Sequence, residues 1–183
     1  MRFTRQSLVR STGLRSTLVR STLVRSTVVA GSVLAAAAVV ATPAQAAPVL
    51  HGYANVVQGK CLDIRGGSTA EGAMLQEFSC KNASNQRFWT DDAAVGGTEI
   101  RVQSSFLCLE PTTPNAYSSI IQRQCSGADT QKWELVPQGV NAVTLKNKAS
   151  GLCLQDYLSG DGSRREVTMW QCNGSAYQQW LLR

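Results

Sequence analysis

The 183-residue chain is short of histidine, of long apolar runs and, at its N-terminus, of acids, and each shortage removes a class of function. His51 is the single histidine, so a Ser-His-Asp triad or a histidine-ligated metal hydrolase has little to build on. No Cys-x-x-Cys pair occurs among the six cysteines, which argues against a structural zinc site. The longest apolar run, Val28 to Ala41, has 14 residues against the roughly 20 that a helix needs to cross a bilayer, so no membrane span is expected. Residues 1–46 contain six arginines and no acid, while the remaining 137 hold twelve bases and all twelve acids. The formal charge of +6 therefore belongs to the N-terminal segment. Nucleic-acid-binding domains carry their positive excess in the folded part, so nucleic acid is excluded as a partner of the balanced remainder.

The order of that segment is basic, then apolar, then small. Residues 1–27 are basic and polar, Val28 to Ala41 is apolar, and Thr42-Pro43-Ala44-Gln45-Ala46 ends at an A-x-A spacing. This is the layout of a secretory signal cleaved after Ala46, which leaves residues 47–183 as the mature, extracellular domain. Arg-Ser-Thr recurs at Arg10, Arg15, Arg20 and Arg25. A five-residue step rotates each arginine by about 140° around a helix, so the pentads do not form one basic face. They read as padding of the signal's basic region. An Arg- and Ser-rich mitochondrial transit peptide is the rival, and the cysteines favour export.

All six cysteines lie in the mature part, and a threefold repeat organises them. Gly59-Lys60-Cys61-Leu62-Asp63, Phe106-Leu107-Cys108-Leu109-Glu110 and Gly151-Leu152-Cys153-Leu154-Gln155 open three units. A second cysteine follows 19, 17 and 19 positions later, and the units end in Gln86-Arg87-Phe88, Gln131-Lys132-Trp133 and Gln178-Gln179-Trp180. Three copies of about 45 residues give the natural pairing Cys61 with Cys80, Cys108 with Cys125, and Cys153 with Cys172. Free buried thiols that recur with the repeat are the alternative. Disulfides need an oxidising compartment, in keeping with export. Apolar residues come in short runs such as Val56-Val57, Met74-Leu75 and Ile120-Ile121, punctuated by Gly66-Gly67, Gly96-Gly97 and Gly160-Asp161-Gly162. No long 3.6-residue period occurs. The pattern predicts an all-β chain of many short strands whose three units close on a shared core, since one unit cannot bury a β face alone.

These motifs resemble the ricin-B-type β-trefoil lectins, a carbohydrate-binding module, as found in secreted actinobacterial members. The resemblance spans about Val49 to Arg183 and rests on three Cys-Leu openings, three second cysteines and three Gln-x-Trp endings. It implies a β-trefoil with pseudo-threefold symmetry. It also implies that Phe88, Trp133 and Trp180, with Gln86, Gln131 and Gln178, are mainly structural. Repeat 1 departs from the pattern by placing Phe88 in the tryptophan slot, with Trp89 following.

In the resembled family a sugar is held by a carboxylate, amides and a ring, and no metal or cofactor is required. Such a set suits a sugar's paired hydroxyls and its C–H face. Repeat 1 fills every slot with Asp63, Gln76, Phe78, Asn85 and Gln86. Asp63 would accept from adjacent hydroxyls, Phe78 would be the stacking platform, Asn85 and Gln76 would complete the hydrogen bonds, and Gln86 would orient the others. The rival reading makes Asp63 a turn cap and Phe78 ordinary core. Repeat 2 has Glu110, Ile121, Arg123 and Thr130 in these slots and is expected to be silent. Repeat 3 has Gln155, Thr168, Trp170 and Tyr177, with Asp156 one position off and therefore turned to the opposite face of a strand.

The expected function is a secreted, non-enzymatic lectin for galactose-like or xylan-type glycans, alone or beside a separately encoded secreted hydrolase. A glycosidase would need two carboxylates across a cleft, with Asp63, Glu71 and Glu77 as nominal candidates that nothing pairs. The competing binding function is a trefoil that docks on a protein, for example as an inhibitor of a secreted hydrolase.

Overall fold

The computed structural model describes residues 47–158 and 165–183, so the expected leader and its cleavage point lie outside the described residues. The elements are short strands joined by turns: β1 Val49–His51, β2 Tyr53–Asn55, β3 Cys61–Ile64, β4 Leu75–Phe78, β5 Phe88–Thr90, β6 Thr98–Glu99, β7 Arg101–Val102, β8 Cys108–Pro111, β9 Ile120–Arg123, β10 Lys132–Pro137, β11 Ala142–Asn147, β12 Cys153–Leu158, β13 Arg165–Trp170 and β14 Trp180–Leu182. No described helix is long and apolar enough to cross a membrane.

Three hairpins occupy equivalent places. β3 pairs with β4, β8 with β9 and β12 with β13, and their first residues pair alike: Cys61 with Phe78, Cys108 with Arg123, and Cys153 with Trp170. The second cysteine of each unit lies two residues beyond that register point, within reach of the first. The three disulfides are those the repeat predicts, with Cα–Cα separations of 5.0, 5.1 and 5.1 Å. Free thiols are thereby excluded.

The hairpins interlock through repeated backbone bonds. Gly72 N–H donates to Gln122 O (2.9 Å) and Gln122 N–H to Ala73 O (3.0 Å). One unit on, Tyr117 N–H donates to Met169 O (2.8 Å) and Met169 N–H to Ser118 O (3.0 Å). β13 returns to β4 through Glu166 opposite Gln76, which closes the ring of three units as a β-trefoil.

Inside that ring the apolar faces meet. Leu62, Ile64, Leu75 and Phe88 from the first unit join Leu109, Ile120 and Trp133 from the second and Leu154, Val167 and Trp180 from the third. Phe88 is fully buried where the other units bury tryptophan, and Trp89 stays half-buried on the neighbouring strand position. The Phe88 ring packs at 5.9 Å from that of Tyr53, which helps to fill the smaller ring's space. The Trp133 and Trp180 indoles donate to Leu109 O (3.1 Å) and Leu154 O (3.3 Å), so both polar edges are satisfied in the core.

Burial pushes the Tyr53 phenol well above its usual range; the Asp92 carboxylate adds to the shift and the Thr90 hydroxyl opposes it. The raised folded value means that Tyr53 stabilises the fold fully below the unfolded pKa of about 10, and that this contribution is lost as pH rises above it. Unfolding free energy should fall by about 1.4 kcal/mol per pH unit beyond that point on account of this group. Denaturant titrations of wild type and Tyr53→Phe from neutral to alkaline pH test this, since the variant should lose that part of the slope.

Candidate functional site

The glutamine that ends each unit sits in a single 3-10 turn, at Ser84–Gln86, Asp129–Gln131 and Ala176–Gln178. Each side-chain Oε1 accepts from a backbone N–H five residues back: Lys81 (2.7 Å), Ser126 (2.7 Å) and Asn173 (3.0 Å). Each Nε2 donates to a carbonyl seven residues back: Ser79 (3.0 Å), Gln124 (2.9 Å) and Gln171 (2.8 Å). Its second N–H goes to the side chain after Cys-Leu: Asp63 (2.9 Å), Glu110 (3.0 Å) and Gln155 (2.9 Å). A buried amide with all these partners locks the segment after each hairpin to that hairpin. It also fixes the acceptor at the floor of each candidate site.

In repeat 1 that acceptor is buried Asp63. Its Oδ1 receives Gln76 Nε2 at 2.9 Å, and its Oδ2 receives Asn85 Nδ2 at 2.8 Å as well as Gln86. A carboxylate offers about four lone-pair positions, so three amide donors leave roughly one, on the Oδ1 side. Two sugar hydroxyls cannot both be accepted unless an amide moves aside, which narrows the role expected for Asp63. Asn85 also donates to Ile64 O at 3.1 Å, and Gln76 Oε1 receives Arg65 Nε at 3.1 Å. The whole constellation is thus oriented by its own hydrogen bonds. Phe78 is 44% exposed, so it is not core, and Asp63 accepts amide protons in a strand rather than capping a turn.

The five expected residues line one cavity of about 340 Å³, together with Gly66, Gly67, Lys81 and Ala83. Lys81 was not anticipated. Its Nζ stands 4.9 Å from the Phe78 ring centroid, and the available signal was a charge after the second cysteine where the other units have Ser126 and Asn173. Gly66 and Gly67 had the look of punctuation only. Both have positive φ (67° and 63°), which turns the chain after β3 without side chains above the cavity.

The equivalent places in the other units are filled differently. In repeat 2, Arg123 Nε lies 3.6 Å from Glu110 Oε2, so a cation stands against the carboxylate where repeat 1 has its ring. In repeat 3, Gln155 pairs in register with Thr168 and buried Asp156 with Val167, which places Asp156 on the other face as expected. The ring of Trp170 already packs on Tyr117 from repeat 2 at 4.5 Å.

Residues 52–180 match the family model described as Ricin-type beta-trefoil lectin domain. Comparison with curated proteins gives no match. Among solved structures the chain is similar to ThreeFoil, a designed 3-fold symmetric protein, at 26% identity and a TM-score of 0.66 over 73% of this chain and 96% of that one. It is similar to a ricin B-like lectin from Macrolepiota procera, solved in complex with lactose, at 18% identity and a TM-score of 0.60 over 75% and 96%. It is also similar to 1,3Gal43A, an exo-beta-1,3-galactanase from Clostridium thermocellum, at 19% identity and a TM-score of 0.67 over 73% of this chain and 29% of the galactanase.

Proposed function

Because the chain belongs to the ricin-type β-trefoil lectin family, we propose that it binds a neutral glycan, galactose-like or xylan-type, in the cavity of repeat 1. The observation that carries this reading is the Asp63 carboxylate, aligned by three amides beside the exposed ring of Phe78. A sugar hydroxyl donates to the open position on Oδ1, Asn85 Oδ1 accepts from a second, and the C–H face lies on Phe78. Lys81 supplies a donor from the rim.

Catalysis is no part of this reading. Asp63 is the sole acid among the described residues lining the cavity, and glycoside hydrolysis needs a second carboxylate across the scissile bond. Glu71 is engaged with Gln124 N–H at 2.7 Å, and Glu77 is buried. The disulfides support an extracellular place of work, reached by the leader of residues 1–46.

A glycan array, followed by calorimetric titration with galactose, lactose and xylan fragments, tests the proposal. One ring and a few hydrogen bonds predict a Kd on the order of millimolar, about −4 kcal/mol. Phe78→Ala should weaken binding roughly fivefold, or about 1 kcal/mol, and Phe78→Trp should tighten it through greater stacking area. An array on which wild type binds no glycan overturns the reading.

A further inference from the structure

A second cavity, of about 770 Å³, lies away from the repeat 1 site. Trp89 and Phe106 contribute its rings, and Asp91, Glu99, Arg101 and Lys132 its charges. Neither ring has a counterpart in the repeats. Trp89 corresponds to Glu134 and Leu181, while Phe106 corresponds to Gly59 and Gly151.

Phe106 is the informative one. It has φ of 59° in a turn where Gly59 and Gly151 have 63° and 68°. All three make the same bond, an N–H donated to the carbonyl four residues back at 2.8 to 2.9 Å. The turn therefore requires the left-handed region, which glycine enters freely and a phenylalanine enters at a cost. The Phe106 ring is 65% exposed, so burial does not offset that cost. A strained, exposed ring that lines a cavity is a feature from which a ligand contact can be argued.

The polar groups complete the pattern. Glu99 Oε1 receives Gly127 N–H at 2.9 Å and its Oε2 receives Arg101 at 3.2 Å, which orients a carboxylate that still has acceptor positions. Trp89 stands opposite Arg101 across β5 and β7, and Glu99 opposite Lys132 across β6 and β10. Two acids and two bases cancel, so the cavity favours neither cations nor anions. We propose that it is a second glycan subsite, in which a neutral oligosaccharide lays C–H faces on Trp89 and Phe106 and hydrogen-bonds to Glu99, Arg101 and Lys132. Two such sites on one module raise avidity for a polymer beyond what either gives alone.

The ligand class comes from the repeat 1 reading, so the experiment must report the two cavities separately. In heteronuclear NMR titrations with lactose and with xylohexaose, the Asn85 side-chain amide reports repeat 1 and the Trp89 indole N–H reports the second cavity. The expected result is a saturable Trp89 shift in wild type that is lost in Phe106→Gly while the Asn85 response persists. That variant restores the residue the other repeats use, so its melting temperature should be unchanged or higher. A Trp89 resonance that stays still while Asn85 moves overturns the second subsite and leaves the first. Silence of both overturns both readings. A Trp89 shift that survives Phe106→Gly, or that only a protein ligand elicits, also overturns the subsite.

Discussion

Asp63→Ala is expected to abolish measurable glycan binding and to cost the fold about 2 kcal/mol. The carboxylate is the shared acceptor for Gln76, Asn85 and Gln86, so its loss leaves three amide donors without their partner. Each such orphan costs about 1–3 kcal/mol when buried, but the open cavity admits water to Gln76 and Asn85, which brings the sum toward the low end. Binding should suffer more than stability, because the amides that Asp63 aligns belong to the proposed ligand set. Starting from a Kd on the order of millimolar, removal of one charge-assisted hydrogen bond and of that alignment puts the site beyond calorimetric detection. Asp63→Asn keeps the volume but turns an NH2 toward amide donors, so it should lose binding as well. Calorimetry with the best array ligand, alongside thermal melts of both variants, decides the matter. Wild-type affinity in Asp63→Ala would place the site elsewhere.

Reduction of the disulfides should produce the largest change in stability. Each bridge closes a loop of 17 to 19 residues, worth about 3 kcal/mol in the chain-entropy model. Three together amount to roughly 9 kcal/mol, of the same size as the 5–15 kcal/mol that holds typical domains folded. The reduced domain should therefore be unfolded or nearly so at room temperature, with loss of the near-ultraviolet signal from Trp133 and Trp180. Circular dichroism melts with and without a phosphine reductant test this, and a cooperative melt at the oxidised temperature after complete reduction would contradict it. Intact mass of the secreted product supplies the companion check. It should begin at Ala47 and fall six hydrogens below the reduced mass.

The fold was legible because its determinants are local and repeated. Cysteine spacing, the Cys-Leu openings and the Gln-x-Trp endings each occur three times, and the structure turns them into three hairpins, three bridges and three glutamine locks. That Asp63, Gln76, Phe78, Asn85 and Gln86 line one cavity was legible through the family resemblance, which places them at fixed offsets from those markers. Lys81 escaped notice because a lone surface lysine carries no pattern. The crowding of Asp63 by three donors escaped too, because hydrogen-bond saturation depends on side-chain directions that spacing does not encode. The Trp89 and Phe106 cavity was hidden for a different reason. Its residues come from β5, the β7–β8 turn and the β6–β10 pair, and strand pairing rather than sequence spacing brings those together.

The glutamine lock has a consequence for how the three units can diverge. Its Nε2 asks only for some oxygen on the residue after Cys-Leu, and aspartate, glutamate and glutamine all meet that demand here at 2.9 to 3.0 Å. The scaffold is therefore indifferent to whether that oxygen can also hold a sugar. A cation can stand against that oxygen, as Arg123 does at 3.6 Å from Glu110, without disturbing the architecture the other units rely on. The lock thus leaves the side chains around each unit's acceptor open to change one unit at a time while the architecture is kept.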